Sequence, residues 1–185
     1  MKKVIATLLI VSGLCFTQTG MVSDGGMGVW FNAHVMNIDS DWNDALDPNY
    51  SISFDYMMDM GLEIGLDYHM ETFLGQLAGG DYNPLDLGFT YHMKGEGMSW
   101  AFGATMHDFT DVEDCSCDHN AVNVGGYTDS NMWFTYTHDL DLDDWDQLSF
   151  GKLWAMDSMT IGAGYYAYTE EMGKGWLTMS VGTTF

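Results

Sequence analysis

The residues best equipped for chemistry alternate along one stretch, ISFDYMMDMGLEIGLDYHM from Ile52 to Met70. Asp55, Glu63, Asp67, His69 and, just beyond, Glu71 occupy odd positions, while every even position carries Ile, Leu, Met, Phe or Tyr. Asp86, His34, His92 and His107 fall on the same parity as this acidic side once their own stretches are aligned. The chain has no arginine, and its lysines beyond the first segment are Lys94, Lys152 and Lys174. Lys94 and Lys174 lie in connections, and Lys152 lies on the apolar parity. Carboxylates crowded together without such partners must take up protons, borrow positive charge from histidine, or hold cations. Each outcome makes the acidic side attractive to cations, with His69 and His107 able to add a dependence on pH below about 7. The plainer alternative is a set of solvated polar residues with no selected role.

Two further acidic runs space oxygen ligands two apart. DSDWNDALD offers Asp39, Asp41 and Asn43, and DLDLDDWD offers Asp139, Asp141 and Asp143. This resembles the opening positions of a calcium loop, but neither run has the glycine at position six or the glutamate at position twelve of an EF-hand. Ca2+ or Mg2+ would relieve the mutual repulsion of these carboxylates, and a solvated acidic loop is the alternative. CSCDH, Cys115 to His119, presents two thiols and an imidazole, a spacing that is a poor zinc signature.

These groups must be positioned by strands, because a period of two sends successive side chains to opposite faces of a sheet. The apolar parity survives the DMG turn, which a three-residue hairpin loop ending in a left-handed Gly61 would allow. Met58 then faces Leu62, and Asp55 lies diagonally between Glu63 and Asp67. The same rhythm sets Val29, Phe31, Ala33 and Val35 on one face, and Leu85, Leu87, Phe89, Tyr91 and Met93 on another strand. It recurs in Met98, Trp100, Phe102, Ala104 and Met106; in Met132, Phe134 and Tyr136; and in Leu148, Phe150, Trp154 and Met156. Met159, Ile161, Ala163 and Tyr165 follow, then Leu177, Met179, Val181, Thr183 and Phe185. A weaker run at 120–128 carries Val122 and Val124. The total is ten candidate strands, each near the ~9–11 residues that a tilted strand needs to cross a bilayer. Short connections alternate with long ones, as at the two rims of a transmembrane barrel.

The second face carries small residues, among them Ser99, Gly103, Gly162, Gly164, Ser180 and Gly182, which suit a crowded concave interior. Large apolar side chains would then point outward to lipid, and closure would satisfy every backbone polar group. On these residues the chain resembles the small bacterial outer-membrane β-barrels, and the resemblance covers everything after the first segment. Its ending, WLTMSVGTTF, resembles the signal read by the barrel-assembly machinery, with Phe185 as the terminal residue and Thr183 as a departure. The expected fold is therefore an all-β, antiparallel, up-and-down transmembrane barrel of ten strands, eight being the alternative, with a secreted soluble β-protein as the competing class.

Residues 1–20 read as a signal peptide, Lys2 and Lys3 preceding an apolar run from Val4 to Phe16, with cleavage between Thr17 and Met21; residues 21–185 form the barrel domain. Cys15 also suggests a lipoprotein signal, which Leu14 before it disfavours. Net charge is −22, which argues against nucleic acid and for cations. The expected partners are outer-membrane lipid, the assembly machinery and small cations or solutes, in the outer membrane of a diderm bacterium. Asp67 and His69 look like the Asp-x-His pair of omptin-type proteases, but the chain shows no convincing second acidic pair, and no chemical step is expected. The expected function is passage or binding of small cations in an acidic lumen. A surface-interaction barrel acting through its acidic loops, or a purely structural barrel, is the alternative. A narrow barrel can also be filled by its own side chains.

Overall fold

The structure, a computed structural model, describes residues 25–37, 49–70, 85–108, 119–141, 146–169 and 175–185. Ten strands follow one another: β1 (Met27–Asn37), β2 (Asn49–Met57), β3 (Leu62–Met70), β4 (Leu85–Met93), β5 (Met98–Asp108), β6 (His119–Thr128), β7 (Met132–Asp139), β8 (Gln147–Met156), β9 (Met159–Tyr168) and β10 (Gly175–Thr184). Each pairs antiparallel with its sequence neighbours, and β10 pairs with β1, so the sheet closes on itself. Closure leaves no edge, the condition for placing strands in lipid. The ten-strand reading holds over the eight-strand alternative because β6, the weakest run in the sequence, pairs along its length with both β5 and β7. Its polar Asn123 and small glycines blur the alternation without interrupting the hydrogen-bonded ladder.

Turn chemistry fixes the short-turn rim. Between β2 and β3, Met58 N–H donates to Leu62 C=O at 2.7 Å, and Gly61 adopts φ +78° as the three-residue loop requires. A Cβ at Gly61 would lie 2.6 Å from His92 O, so close approach adds to the need for glycine. Met60 also has positive φ, at +84°, which no sequence signal announces. Asn131 (φ +60°) closes the β6–β7 turn, Asn being one of the few side chains that tolerate this region. One end of the barrel seam lies at this rim, where Met27 and Phe185 exchange N–H···O bonds of 2.8 and 2.9 Å.

The alternation divides the residues into two populations. Phe31, Phe54, Leu66, Phe89, Phe102, Phe134, Phe150 and Val181 are exposed on the outside. On the inside, polar side chains from every strand are buried. An apolar exterior around a polar interior is the inverse of a soluble domain and matches a barrel solvated by lipid. Lys152 keeps its outward parity: the β8–β9 register runs through it without a shift, and the β7–β8 register reaches it in phase. Of the two explanations open to it, local bulge or snorkelling, the bulge is therefore excluded. Its partner on β7 is Met132, the first residue after the β6–β7 turn, toward which a long stem can extend. The seam does contain a register shift, between His34 and Met36.

Candidate functional site

The β2–β3 register pairs Met57 with Glu63 and Asp55 with Gly65, so Asp55 lies between Glu63 and Asp67 as the turn geometry implies. The β3–β4 register adds what spacing along one strand could not show: Asp67 stands directly opposite Asp86. Like charges across a strand pair repel, and the interior answers with histidines. Asp86 Oδ2 lies 3.0 Å from His69 Nε2 and 3.0 Å from His107 Nδ1, bridging two imidazoles. Glu63 Oε2 lies 2.5 Å from His92 Nε2, and the His92 ring packs 5.8 Å from that of Tyr127. Histidine, rather than lysine, therefore partners these buried carboxylates.

Neutral groups extend the network. Asn32 Nδ2 donates to Ser51 Oγ (3.1 Å) and Ser53 Oγ (2.8 Å), and Ser53 Oγ donates onward to Asp67 Oδ1 at 2.9 Å. Across the barrel, Thr137 Oγ1 donates to Asn123 Oδ1 (2.8 Å) and Asn123 Nδ2 to Thr105 Oγ1 (3.0 Å). His34 Nδ1 meets Thr178 Oγ1 at 2.8 Å. Asp55 is the exception: it is buried beside Glu63, Asp67 and Trp30, and neither of its oxygens makes a hydrogen bond of ordinary geometry.

Asp55, Glu63, Asp67, His69, Asp86 and His107 are thus gathered on β2–β5 as the sequence indicates, while Glu71 lies outside the described residues. So do Asp39, Asp41, Asn43, Asp143, Cys115 and Cys117. The two described members of the calcium-like run are engaged with protein. Asp139 points inward and its Oδ1 accepts Asp141 N–H at 2.9 Å, and Asp141 Oδ2 accepts both N–H (2.7 Å) and Nδ2 (3.1 Å) of Asn120. Among the described residues no three His, Cys, Asp or Glu side chains converge to hold a metal ion.

Two features escape sequence reasoning. Asp146, just ahead of β8, accepts from Tyr136 Oη and pairs with His138 Nδ1 at 2.7 Å, forming a cluster at the long-loop rim. Burial works against its charge, yet these hydrogen bonds hold the carboxyl below the usual range. The other feature is aromatic: Trp30 (0 % exposed), Trp133 and Tyr166 point inward and are buried among the polar groups. Their inward parity was readable, and so was the glycine stripe facing them, but only the register joins one to the other.

A closed, antiparallel ten-stranded barrel with an apolar exterior and a buried polar interior defines the class of transmembrane β-barrels. Pairing of each strand with its sequence neighbours makes it an up-and-down barrel. A designed transmembrane β-barrel is similar at 9 % identity over 88 % of this chain and 98 % of its own, with a TM-score of 0.45. The N-terminal β-barrel domain of Pseudomonas aeruginosa OprF is 15 % identical over 88 % of this chain and 98 % of its own, with a TM-score of 0.42. Ail, the attachment invasion locus protein of Yersinia pestis, is 10 % identical over 88 % of this chain and 100 % of its own, with a TM-score of 0.39. No protein-family model matches the chain, and no curated protein matches it.

Proposed function

We propose that this protein is an outer-membrane barrel of a diderm bacterium, exported by a cleaved signal peptide, that acts as a surface scaffold presenting acidic loops to cations and cationic partners. The observation that carries this reading is the burial of inward polar side chains contributed by all ten strands. A filled interior offers no stable water path, so function moves to the long-loop rim. There the sequence concentrates carboxylates, at Asp39–Asp47, Asp111–Asp118, Asp139–Asp146 and Glu170–Glu171, which would take Ca2+ or Mg2+ as counterions. Phe185 would be read by the assembly machinery, lipid would surround the apolar band, and no chemical step is assigned.

The test is conductance of the refolded mature chain in a planar bilayer under a potassium chloride gradient, with calcium titration of the same protein by calorimetry. Silence together with calcium uptake that disappears when residues 39–47 and 111–118 are replaced by short Gly-Ser linkers is the expected result. Stable cation-selective steps from the intact chain would overturn the scaffold reading.

One observation favours a second reading, passage or binding of small cations in the lumen. Asp55 is a buried carboxylate with no hydrogen bond of ordinary geometry, set between two other acids, the environment that attracts a small cation. If ions do pass, replacing Asp55, Glu63, Asp67 and Glu71 by Asn or Gln should move the reversal potential toward zero; an unchanged value would remove these acids from any role in selectivity.

A further inference from the structure

The interior is filled in two unlike ways. Acids and histidines occupy β2–β5, whereas the opposite wall, β8–β10, is lined by Gly151, Gly162, Gly164 and Gly182, across which large side chains lie. Trp30 stands opposite Gly182 in the β1–β10 register, and a Cβ at Gly182 would fall 2.1 Å from Trp30 Cε3. Trp133 reaches across β8 to β9: Cβ atoms at Gly151 and Gly164 would lie 2.5 and 2.7 Å from its Cζ2. Its ring also packs 5.9 Å from that of Tyr166. Leu153 fills the remaining seat, with Cδ2 2.8 Å from where a Gly162 Cβ would be. Trp30 is the fourth residue of β1 and Trp133 the second of β7, so both belong to the short-turn half. The indole N–H of Trp30 is buried beside the Asp55 carboxylate without a hydrogen bond of ordinary geometry, so packing contributes most of what seats this ring. A flat ring held chiefly by shape against a glycine can swing away at a cost dominated by lost contact, whereas parting the acid–histidine pairs would strand buried charge.

We propose that Trp30 and Trp133 are an aromatic gate, seated on Gly182 and on Gly151 and Gly164, that closes an otherwise cation-selective passage lined by Asp55, Glu63 and Asp67. The inference deepens the filled-interior reading and rests on it. Without the two indoles, the space over the glycine wall would join the acidic side into a continuous polar path. Cations would then pass between the long-loop rim and the short-turn rim.

The test compares three full-length mature chains in planar bilayers under a potassium chloride gradient: the native protein, Trp30→Ala/Trp133→Ala, and Trp30→Phe/Trp133→Phe. Folding of each is verified by its heat-dependent shift in electrophoretic mobility. The expected outcome is silence from the native chain and a large loss of closure in the alanine pair, seen as stable steps with a reversal potential near that of potassium. The phenylalanine pair, which keeps an aromatic ring on each seat, should show brief openings at most. Should the alanine pair fail to fold, Trp30→Leu/Trp133→Leu takes its place and should open in the same way. Silence from a folded ring-less chain overturns the gate and leaves the polar network or the loops as the closure. Conductance from the native chain overturns the filled-interior reading instead, and the two failures are thereby distinguished. Steps without cation preference in the ring-less chain would overturn the acidic lining.

Discussion

At the scale of single residues, this barrel shows how buried acids are tolerated without arginine. Asp86 contacts two histidines, so its removal does more than delete a charge: His69 and His107 both lose their partner. Truncating one member of a buried ionic network costs about 3–5 kcal/mol. Asp86→Ala should therefore lower stability by several kcal/mol in denaturant unfolding from detergent micelles, and an effect under about 1 kcal/mol would show that the bridge contributes little. Asp146 makes a separate prediction. Its carboxyl titrates below the ordinary value because Tyr136 and His138 favour the charged form more than burial disfavours it. A folded value below the unfolded value near ~3.9 means that the contribution is complete above that pH and disappears as pH falls through the folded value. The Asp146 carboxyl carbon should thus titrate by NMR at lower pH than a model carboxylate, and Tyr136→Phe should move it back upward. An Asp146 midpoint at the model value in the native chain would remove the cluster as the cause.

At the scale of elements, the hairpins carry the legible part of the fold. The DMG loop announces Gly61 at the position needing positive φ, and the preserved parity predicts the register that places Asp55 between Glu63 and Asp67. Met60 is different, because a side chain that is 87 % exposed in the left-handed region gains no packing to offset its conformational cost. Met60→Gly should stabilise the barrel by about 1 kcal/mol, whereas Gly61→Ala, which drives a Cβ toward His92 O, should destabilise it by about 1–3 kcal/mol. Equilibrium unfolding of the two variants side by side checks both, and equal effects would mean that the loop relaxes. What was not legible is which histidine answers which acid. Residues 63 and 92 are separated by the long connection between β3 and β4, and only the pairing of those strands brings them within 2.5 Å.

At the scale of the whole molecule, the barrel is a closed wall whose interior must be filled or left wet, and the glycine wall shows which occurs. Gly164→Ala should cost about 1–3 kcal/mol by overpacking against Trp133, and Trp133→Leu in the same chain should recover much of it. Gly151→Ala should not be rescued in this way, because its Cβ would also meet the Ala163 backbone oxygen at 2.4 Å. A double-mutant cycle measures both, and absence of coupling between Gly164 and Trp133 would refute the seating.

The sequence by itself determined the strands, their inward and outward faces and the acidity of the inner face, because a period of two is a local property of the backbone and each turn carries its own chemistry. It also placed Asp55 between Glu63 and Asp67, a contact spanning one tight turn. The pairing of Asp67 with Asp86, the sharing of Asp86 between His69 and His107, and the seating of Trp133 on Gly164 were decided by the register of neighbouring strands in the folded sheet. Each depends on the register of strands joined by connections that leave their relative height free, and on the requirement that a ring of ten strands meet itself without an unpaired edge.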